Sequence, residues 1–282
     1  MVLEMRKMKT LKLSKDPKTV EKKFELYRAP ALEKGLDIIE LLSTSEKGFS
    51  QGEIAKALNR SSNEIYRMLT TLVRRNYISR SYKDDRYILS LRLFALSNRY
   101  PPVNRLINFA LPLMQKITKE VWQSCHIVTE SNGDVVVVSS VDSPGYWGLG
   151  IRVGSVIGLW NTGSGRVLSA FRPKADTEEL INRHTAVIGE PPIDQEIFYA
   201  ELDSIRRQGF DMRASNTAAG VTNMSFPIFD SFGKAVAAVT CPYIGRVDTL
   251  DVPSIEQCKD AYCNLSKKLT NYYRGEQADR PD

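Results

Sequence analysis

The 282-residue chain predicts an α+β protein in two parts, a winged helix-turn-helix followed by a larger domain of helices packed on a curved antiparallel sheet. Three observations carry that expectation. Two helix-start signals, Ser50 with Glu53 and Ser61 with Glu64, follow one another closely, so two short helices are joined by a tight break. Alternating segments around a charged turn come directly after the second helix. Beyond residue 103 the pattern changes to strands, then helices, then strands.

Taken in order, residues 1–27 are lysine-rich and weakly patterned. Arg6, Lys7, Lys9 and Lys12 precede no apolar core or cleavage site, so no signal peptide is expected. The stretch reads as a basic arm, either touching DNA phosphate or acting as a solubilising extension. Residues 28–90 form the expected winged domain. Pro30 opens an amphipathic helix marked by Leu32, Leu36, Ile39 and Leu42. In the next helix Ile54, Ala55 and Leu58 share a face; in the one after it Ile65, Met68, Leu69 and Leu72 do. That leaves Asn63, Glu64, Arg67, Thr71 and Arg74 outward. Two readings compete: an ordinary pair of core helices with a solvated face, or a helix-turn-helix with a recognition helix. The strand signals at 77–80 and 86–89, around Lys83, Asp84 and Asp85, favour the second. A hairpin in that position is a wing, with Lys83 and Arg86 placed to reach phosphate or groove.

Residues 91–103 read as a linker: a short helix at 91–97, then Arg99-Tyr100-Pro101-Pro102, whose prolines stop a helix and stiffen the chain. The second domain spans 104–274. A helix is expected over 103–122, with Pro112 as a kink point. Strands at 125–130 and 134–141 flank Asn132-Gly133, a strong hairpin signal, and a further strand is expected at 146–151. Helices are expected at 162–171, 177–184 and 195–208. Strands at 220–229 and 234–241 are joined by Asp230-Ser231-Phe232-Gly233, and a long helix at 252–273 precedes a polar tail, 275–282.

Composition narrows the function. Hydrophobic content of 42% with 26% charged residues suits a globular protein, and apolar runs such as 135–138 are far too short to span a membrane. Cys125, Cys241, Cys258 and Cys263 show no paired spacing, so no disulfide framework and a reduced, cytoplasmic setting are expected. Residues 1–103 hold 21 Lys and Arg against 12 Asp and Glu, a net of +9, whereas residues 104–282 hold 18 against 21, a net of −3. A basic front joined to a mildly acidic rear is the balance expected when only the front meets a polyanion. His126 and His184 lack metal-ligand spacing, Cys258 and Cys263 do not share one clean helix face, and the hydrolase, nucleotide and dinucleotide fingerprints are absent from the sequence. No enzyme activity, metal or cofactor is expected.

For DNA, Arg67 is the first choice of base reader, since a guanidinium pairs bidentately with guanine O6 and N7 for about 1–3 kcal/mol of discrimination. The competing role is a phosphate contact, or a pair with Glu64 along the helix. Asn63 suits adenine. Glu64 suits cytosine N4, or simply caps its helix. Ser61 and Ser62 suit phosphate at the helix start. On the other domain, Asn161-Thr162-Gly163-Ser164-Gly165 ahead of a helix offers backbone N–H groups, either as a carboxylate seat or as a capped start with glycines for close packing.

Four stretches, in this order and spacing, resemble the isocitrate lyase regulator (IclR) family of bacterial transcription factors: ALEKGLDIIELL, SSNEIYRMLTTLVRRNYI, RVGSVIGLWNTGSGRVLSAF and GVTNMSFPIFDSFGKAVAAVTCPY. In the second, Tyr66-Arg67-Met68-Leu69 matches the family's aromatic-or-His, Arg, Leu, Leu. In the fourth, Pro227 to Asp230, Gly233 and Ala237-Ala238 match its hairpin. There are departures: Asn63 and Glu64 stand for Ser and Thr, Trp160 and Asn161 for His and Ala, Arg166 for Lys, Asn223 for a ligand-contacting Cys, and Thr240 and Pro242 for serines.

The resemblance implies a DNA-binding winged helix, a linker helix and a GAF-like effector-binding domain, assembled as a homodimer or dimer of dimers on palindromic operator half-sites. It implies a small organic-acid, sugar-acid or aromatic-acid effector. The expected DNA-binding set is Ser61, Ser62, Asn63, Glu64, Tyr66, Arg67, Lys83 and Arg86. The expected effector set is Trp147, Trp160, Asn161, Thr162, Gly163, Asn223, Met224, Thr240 and Pro242, with Tyr146, Trp147, Trp160 and Met224 as apolar walls and Asn223 and Thr240 as polar contacts. The function expected is a sequence-specific regulator modulated by an anionic metabolite. Its competitor is a metabolite-binding or catalytic GAF-like module with an incidental basic front.

Overall fold

The computed structural model describes residues 29–276 apart from 82, 98, 100, 147 and 249. The expected arm at 1–27, the tail beyond 276 and Trp147 therefore lie outside the described residues. The chain divides into two compact units between Arg99 and Tyr100.

The first unit contains α1 (Pro30–Leu42), β1 (Phe49–Ser50), α2 (Gln51–Ala57), α3 (Ser62–Arg74), β2 (Ile78–Arg80), β3 (Arg86–Leu89) and α4 (Arg92–Ser97). Both capping boxes close. The Ser50 N–H donates to Glu53 Oε2 at 2.7 Å and the Ser61 N–H to Glu64 Oε2 at 3.2 Å, with each serine oxygen accepting from the glutamate N–H in return. The apolar stripes converge on one core of Ile38, Leu42, Ile54, Ala55, Ile65, Leu69, Ile78 and Tyr87. Burying such a set is the main stabilisation of so small a unit, at about 1.5–3 kcal/mol per large side chain. The wing is three-stranded, in the order β1-β3-β2, with Phe49 paired to Tyr87. Strand β1 was not expected, because two residues carry no alternation to read.

The second unit contains α5 (Pro101–Val121), β4 (Cys125–Ser131), β5 (Asp134–Val141), β6 (Val156–Ile157), α6 (Gly163–Ala170), α7 (Lys174–Arg183), α8 (Gln195–Gln208), β7 (Asp211–Ala214), β8 (Val221–Phe229), β9 (Ala235–Ile244) and α9 (Ile255–Arg274). Among the described residues its strands form one antiparallel sheet, β6-β5-β4-β9-β8-β7. The β4–β5 turn has Asn132 and Gly133 at φ 54° and 99°, the paired positive angles that this dipeptide tolerates. Strand alternation makes two cores. One face carries Ile127, Met224, Phe226, Val239 and Cys241, packed with Leu106 and Met114 of α5 and Tyr262 and Leu269 of α9. The other carries Val128, Val137 and Ala238, packed with Leu168 of α6 and Leu202 of α8.

One expected strand is absent among the described residues, and unexpected strands are present. Among the described residues of 146–151 none lies in a strand; the edge strand beside β5 is β6, pairing Val135 with Ile157. Gly145, Gly148 and Gly150 leave too few side chains to hold a ladder. Strand β7, which pairs Asp211 with Ser225, was not anticipated because four mixed residues after a helix give no periodicity.

Candidate nucleic-acid interface and effector site

The outward face of α3 is set by its buried stripe. Ile65 and Leu69 point into the core, so Ser61, Ser62, Asn63, Tyr66 and Arg67 are exposed together. Tyr66 is 53% exposed, a large ring held in solvent at the start of the helix. Glu64 does not share that freedom. It caps Ser61 and pairs with the Lys34 ammonium, and these contacts, Lys34 foremost, hold its carboxyl down at about 2. A carboxylate so engaged serves the helix start and the packing of α1, so accepting from cytosine N4 is not supported.

The wing separates its two expected cations. Lys83 is exposed at the tip. Arg86 is turned inward: its Nη2 lies 2.8 Å from Glu53 Oε2 and donates to the Gly48 carbonyl at 3.1 Å, and its Nε donates to the Lys47 carbonyl at 3.2 Å. It ties β3 to α2, which the strand position alone could not reveal. A third wing cation, Arg80, pairs with Asp85 across the hairpin and stands 5.6 Å over the Tyr87 ring.

In the second unit the first turn of α6 lies on the sheet. The N-cap Thr162 takes the Gly165 N–H on its oxygen at 3.1 Å. Among the described residues the Gly163 and Ser164 N–H groups find no acceptor, leaving two donors at the positive end of the helix. The approach requires glycine: a Cβ on Gly163 would meet Ser225 Oγ at 2.6 Å, and one on Gly165 the Leu159 carbonyl oxygen at 2.2 Å. Thr240 Oγ1 donates to Ser225 Oγ at 2.8 Å, and Ser164 Oγ lies 2.8 Å from Thr240 Oγ1 on its other side. Since Thr240 has one proton to give, Ser164 donates to it.

Register decides which neighbours share this cluster. Ser225 pairs with Thr240, Asn223 with Pro242 and His126 with Thr240, so Asn223, Pro242 and His126 belong to the same face. Met224 does not. It pairs with Cys241 and packs fully buried against α5 and α9, on the opposite face, so it is no wall of this site. Tyr146 is also removed as a wall, being 91% exposed. The Trp160 indole is held by the segment after α7: Nε1 donates to the Pro191 carbonyl at 2.6 Å and the ring meets His184 edge-on. Asn161 is buried, its Oδ1 turned toward Gly158 without a hydrogen-bond partner.

Several residues of the site were not foreseen. Ser225 completes the hydroxyl chain. His126 is buried beside it, and burial pushes its imidazole down to about 4. Arg166 is locked to Asp211, with a further contact to Glu201 and a hydrogen bond to the Trp160 carbonyl. Glu190 clamps the approach to α6, accepting the Trp160 N–H at 3.1 Å and facing His184 Nε2 at 2.7 Å, while His184 Nδ1 donates to the Gly133 carbonyl. Beside Ser140, the partner of His126, an open cleft of about 510 Å³ lies under the loop containing Asp142, Gly150 and Arg152. Among the described residues no group of His, Cys, Asp and Glu could hold a metal ion.

The family described as "Bacterial transcriptional regulator IclR C-terminal" matches residues 102–253, and the "IclR helix-turn-helix domain" matches residues 31–81. Among curated relatives, the glycerol operon regulatory protein of Streptomyces griseus is 26% identical over 74% of this chain and 82% of its own length. The transcriptional regulator KdgR of Escherichia coli is 23% identical over 68% and 73%. Among solved structures, an IclR regulator of Alicyclobacillus acidocaldarius covers 88% of this chain and all of its own at a TM-score of 0.68 and 20% identity. An IclR homolog of Microbacterium hydrocarbonoxydans complexed with 4-hydroxybenzoate covers 87% and 99% at 0.72 and 18%. Likeness at such identity speaks for the fold.

Proposed function

The chain belongs to the IclR family of bacterial transcriptional regulators, and on that premise we propose that α3 reads a specific operator while the hydroxyl cluster beneath α6 holds a small metabolite that changes operator affinity. The observation that carries the first half is the shared exposure of Asn63, Tyr66 and Arg67 on one helix above a core that fixes its orientation. In this reading Arg67 pairs with guanine, Asn63 with adenine, Ser61 and Ser62 hold phosphate at the helix start, and Lys83 adds a phosphate contact from the wing. Arg86 is a strut of the wing.

The effector half rests on Gly163, Ser164, Asn223, Ser225, Thr240 and Pro242 around the buried N-terminus of α6, whose first two N–H groups have no acceptor among the described residues. Arg166 is neutralised by Asp211, so attraction for a carboxylate comes from the two helix N–H donors and the hydroxyls. Small organic, sugar or aromatic acids fit that chemistry, and a homolog complexed with 4-hydroxybenzoate supports the size class. The protein acts as a dimer or dimer of dimers on palindromic half-sites in the cytoplasm. The metabolite couples to DNA only as far as its affinity differs between two arrangements of that assembly. A gel shift of the full chain on the DNA upstream of its own coding sequence, with and without a panel of organic acids, tests this. Retarded complexes whose affinity an acid changes support the proposal; absence of any specific complex, or turnover of an acid by the protein, contradicts it.

A further inference from the structure

Among the described residues the sheet of the second unit has two β-bulges, and both turn their extra residue into the same cavity. Between the pairs Ile127–Ser139 and Val128–Val137 the unpaired residue is Val138; between Ile228–Ala237 and Phe229–Ala235 it is Val236. Bulges re-aim side chains and gather next to binding sites. Val138 and Val236 line a cavity of about 290 Å³ together with Val103 and Leu106 of α5, Tyr273 of α9 and the polar end of β4. Both valines pack against the α5–α9 core, on the sheet face opposite the hydroxyl cluster of Ser164, Ser225 and Thr240.

Its charges are arranged asymmetrically. Burial tends to raise the Glu130 carboxyl, but the Gly133 N–H, Arg172 and Lys234 pull it below the usual range. Its oxygens are already engaged: Oε1 accepts the Gly133 N–H at 3.0 Å, and Oε2 meets Arg172 Nη1 at 2.8 Å. Arg172 in turn donates its Nε to the Leu168 carbonyl. The half-buried Lys234 ammonium makes no hydrogen bond or ion pair among the described residues. One carboxylate against two cations leaves a net positive charge beside a wall of three valines, a leucine and a tyrosine ring.

We propose that this cavity is a second ligand site, separate from the effector cluster, for a small hydrophobic monocarboxylate whose carboxylate pairs with Lys234 and whose body rests on Val138, Val236, Val103 and Leu106. Size supports a single ring or a short branched chain, since an apolar cavity of about 150 Å³ holds benzene and this one has room for the charged group as well. The site is mostly apolar with a few convergent polar groups, as small-molecule sites are. Occupancy ties the first turns of α5, which follow the DNA-binding unit in sequence, to the sheet.

Methyl NMR of the full chain titrated with benzoate, with neutral benzamide as the control, tests the proposal. Benzoate is expected to shift the Val103, Leu106, Val138 and Val236 methyls and to bind about tenfold tighter than benzamide. Lys234→Gln is expected to weaken benzoate by a similar factor, while the rest of its spectrum stays that of the parent. Benzoate that moves only the Val128 and Leu168 methyls, on the α6 face, overturns the second site. So does equal binding of benzoate and benzamide, or an unchanged benzoate affinity in Lys234→Gln. None of these outcomes depends on operator binding, so the two proposals stand or fall separately.

Discussion

Arg166 Nη2 lies 2.8 Å from Asp211 Oδ2, with only 3% and 2% of the two side chains exposed. The pair bolts α6 to the edge strand β7, and Arg213 reaches Asp211 Oδ1 at 2.7 Å from the solvent side. Both charges are satisfied, so Arg166 is a structural fastening of α6.

Removing one partner of that pair strands the other charge in the interior. Arg166→Met and Asp211→Asn are each expected to cost about 3–5 kcal/mol of stability. The double substitution Arg166→Met with Asp211→Asn is expected to cost less than the sum of the two, since it leaves neither charge of the pair uncompensated. Urea denaturation of the three variants measures this; additive losses would show that the pair is not coupled.

Thr240→Val keeps the shape of the cluster and removes the hydroxyl linking Ser164 to Ser225. The expected result is unchanged operator affinity in the absence of effector and about tenfold more effector for half response, together with a stability loss of about 1–3 kcal/mol from the stranded partners. Fluorescence anisotropy on labelled operator, with the effector titrated, reads both affinities. An unchanged effector response would remove Thr240 from the site.

His126 gives the protein an acid sensitivity with a defined direction. Its imidazole sits at about 4 in the folded chain, against about 6.5 when unfolded, because burial disfavours the charged form. Stability from this residue is complete above pH about 6.5 and falls as pH drops toward 4, because the unfolded chain takes up a proton that the folded chain refuses. The loss levels off below the folded value, at about 3 kcal/mol. His126→Gln should lose less stability than the parent between pH 7.5 and 4.5. An NMR titration that places the folded imidazole near 6.5 would refute the assignment.

Arg86→Ala is expected to act on the wing rather than on DNA sequence preference. Its contacts to Glu53, Lys47 and Gly48 bridge β3 to α2 and the β1 approach. A modest loss of thermal stability with a uniform loss of operator affinity is expected; a change in which bases are preferred would make it a reader instead.

Local chemistry was legible in the sequence, and long-range pairing was not. Ser50 with Glu53 and Ser61 with Glu64 announced two helix starts because a capping box is complete within four residues. Asn132-Gly133 announced its hairpin for the same reason. Met224 was misplaced because identifying a strand does not fix which face each residue takes until its partner is known, and one residue of register moves it to the other core. Arg166 and Asp211 are 45 residues apart, and Glu53 and Arg86 are brought together only by the fold, so neither pair had a sequence signal. The two bulges were invisible for the same reason: an extra residue exists only relative to a neighbouring strand.

Base reading by α3 is the step on which the proposed regulation depends most, and one comparison tests it directly. Binding of the parent chain, Arg67→Ala and Lys83→Ala is measured on single-base operator variants at several salt concentrations. Arg67→Ala should erase the preference at one position of each half-site, worth about 1–3 kcal/mol, while Lys83→Ala should weaken all sequences alike and lower the salt slope by about one. Identical behaviour of the two variants, or full base discrimination retained in Arg67→Ala, would contradict the account.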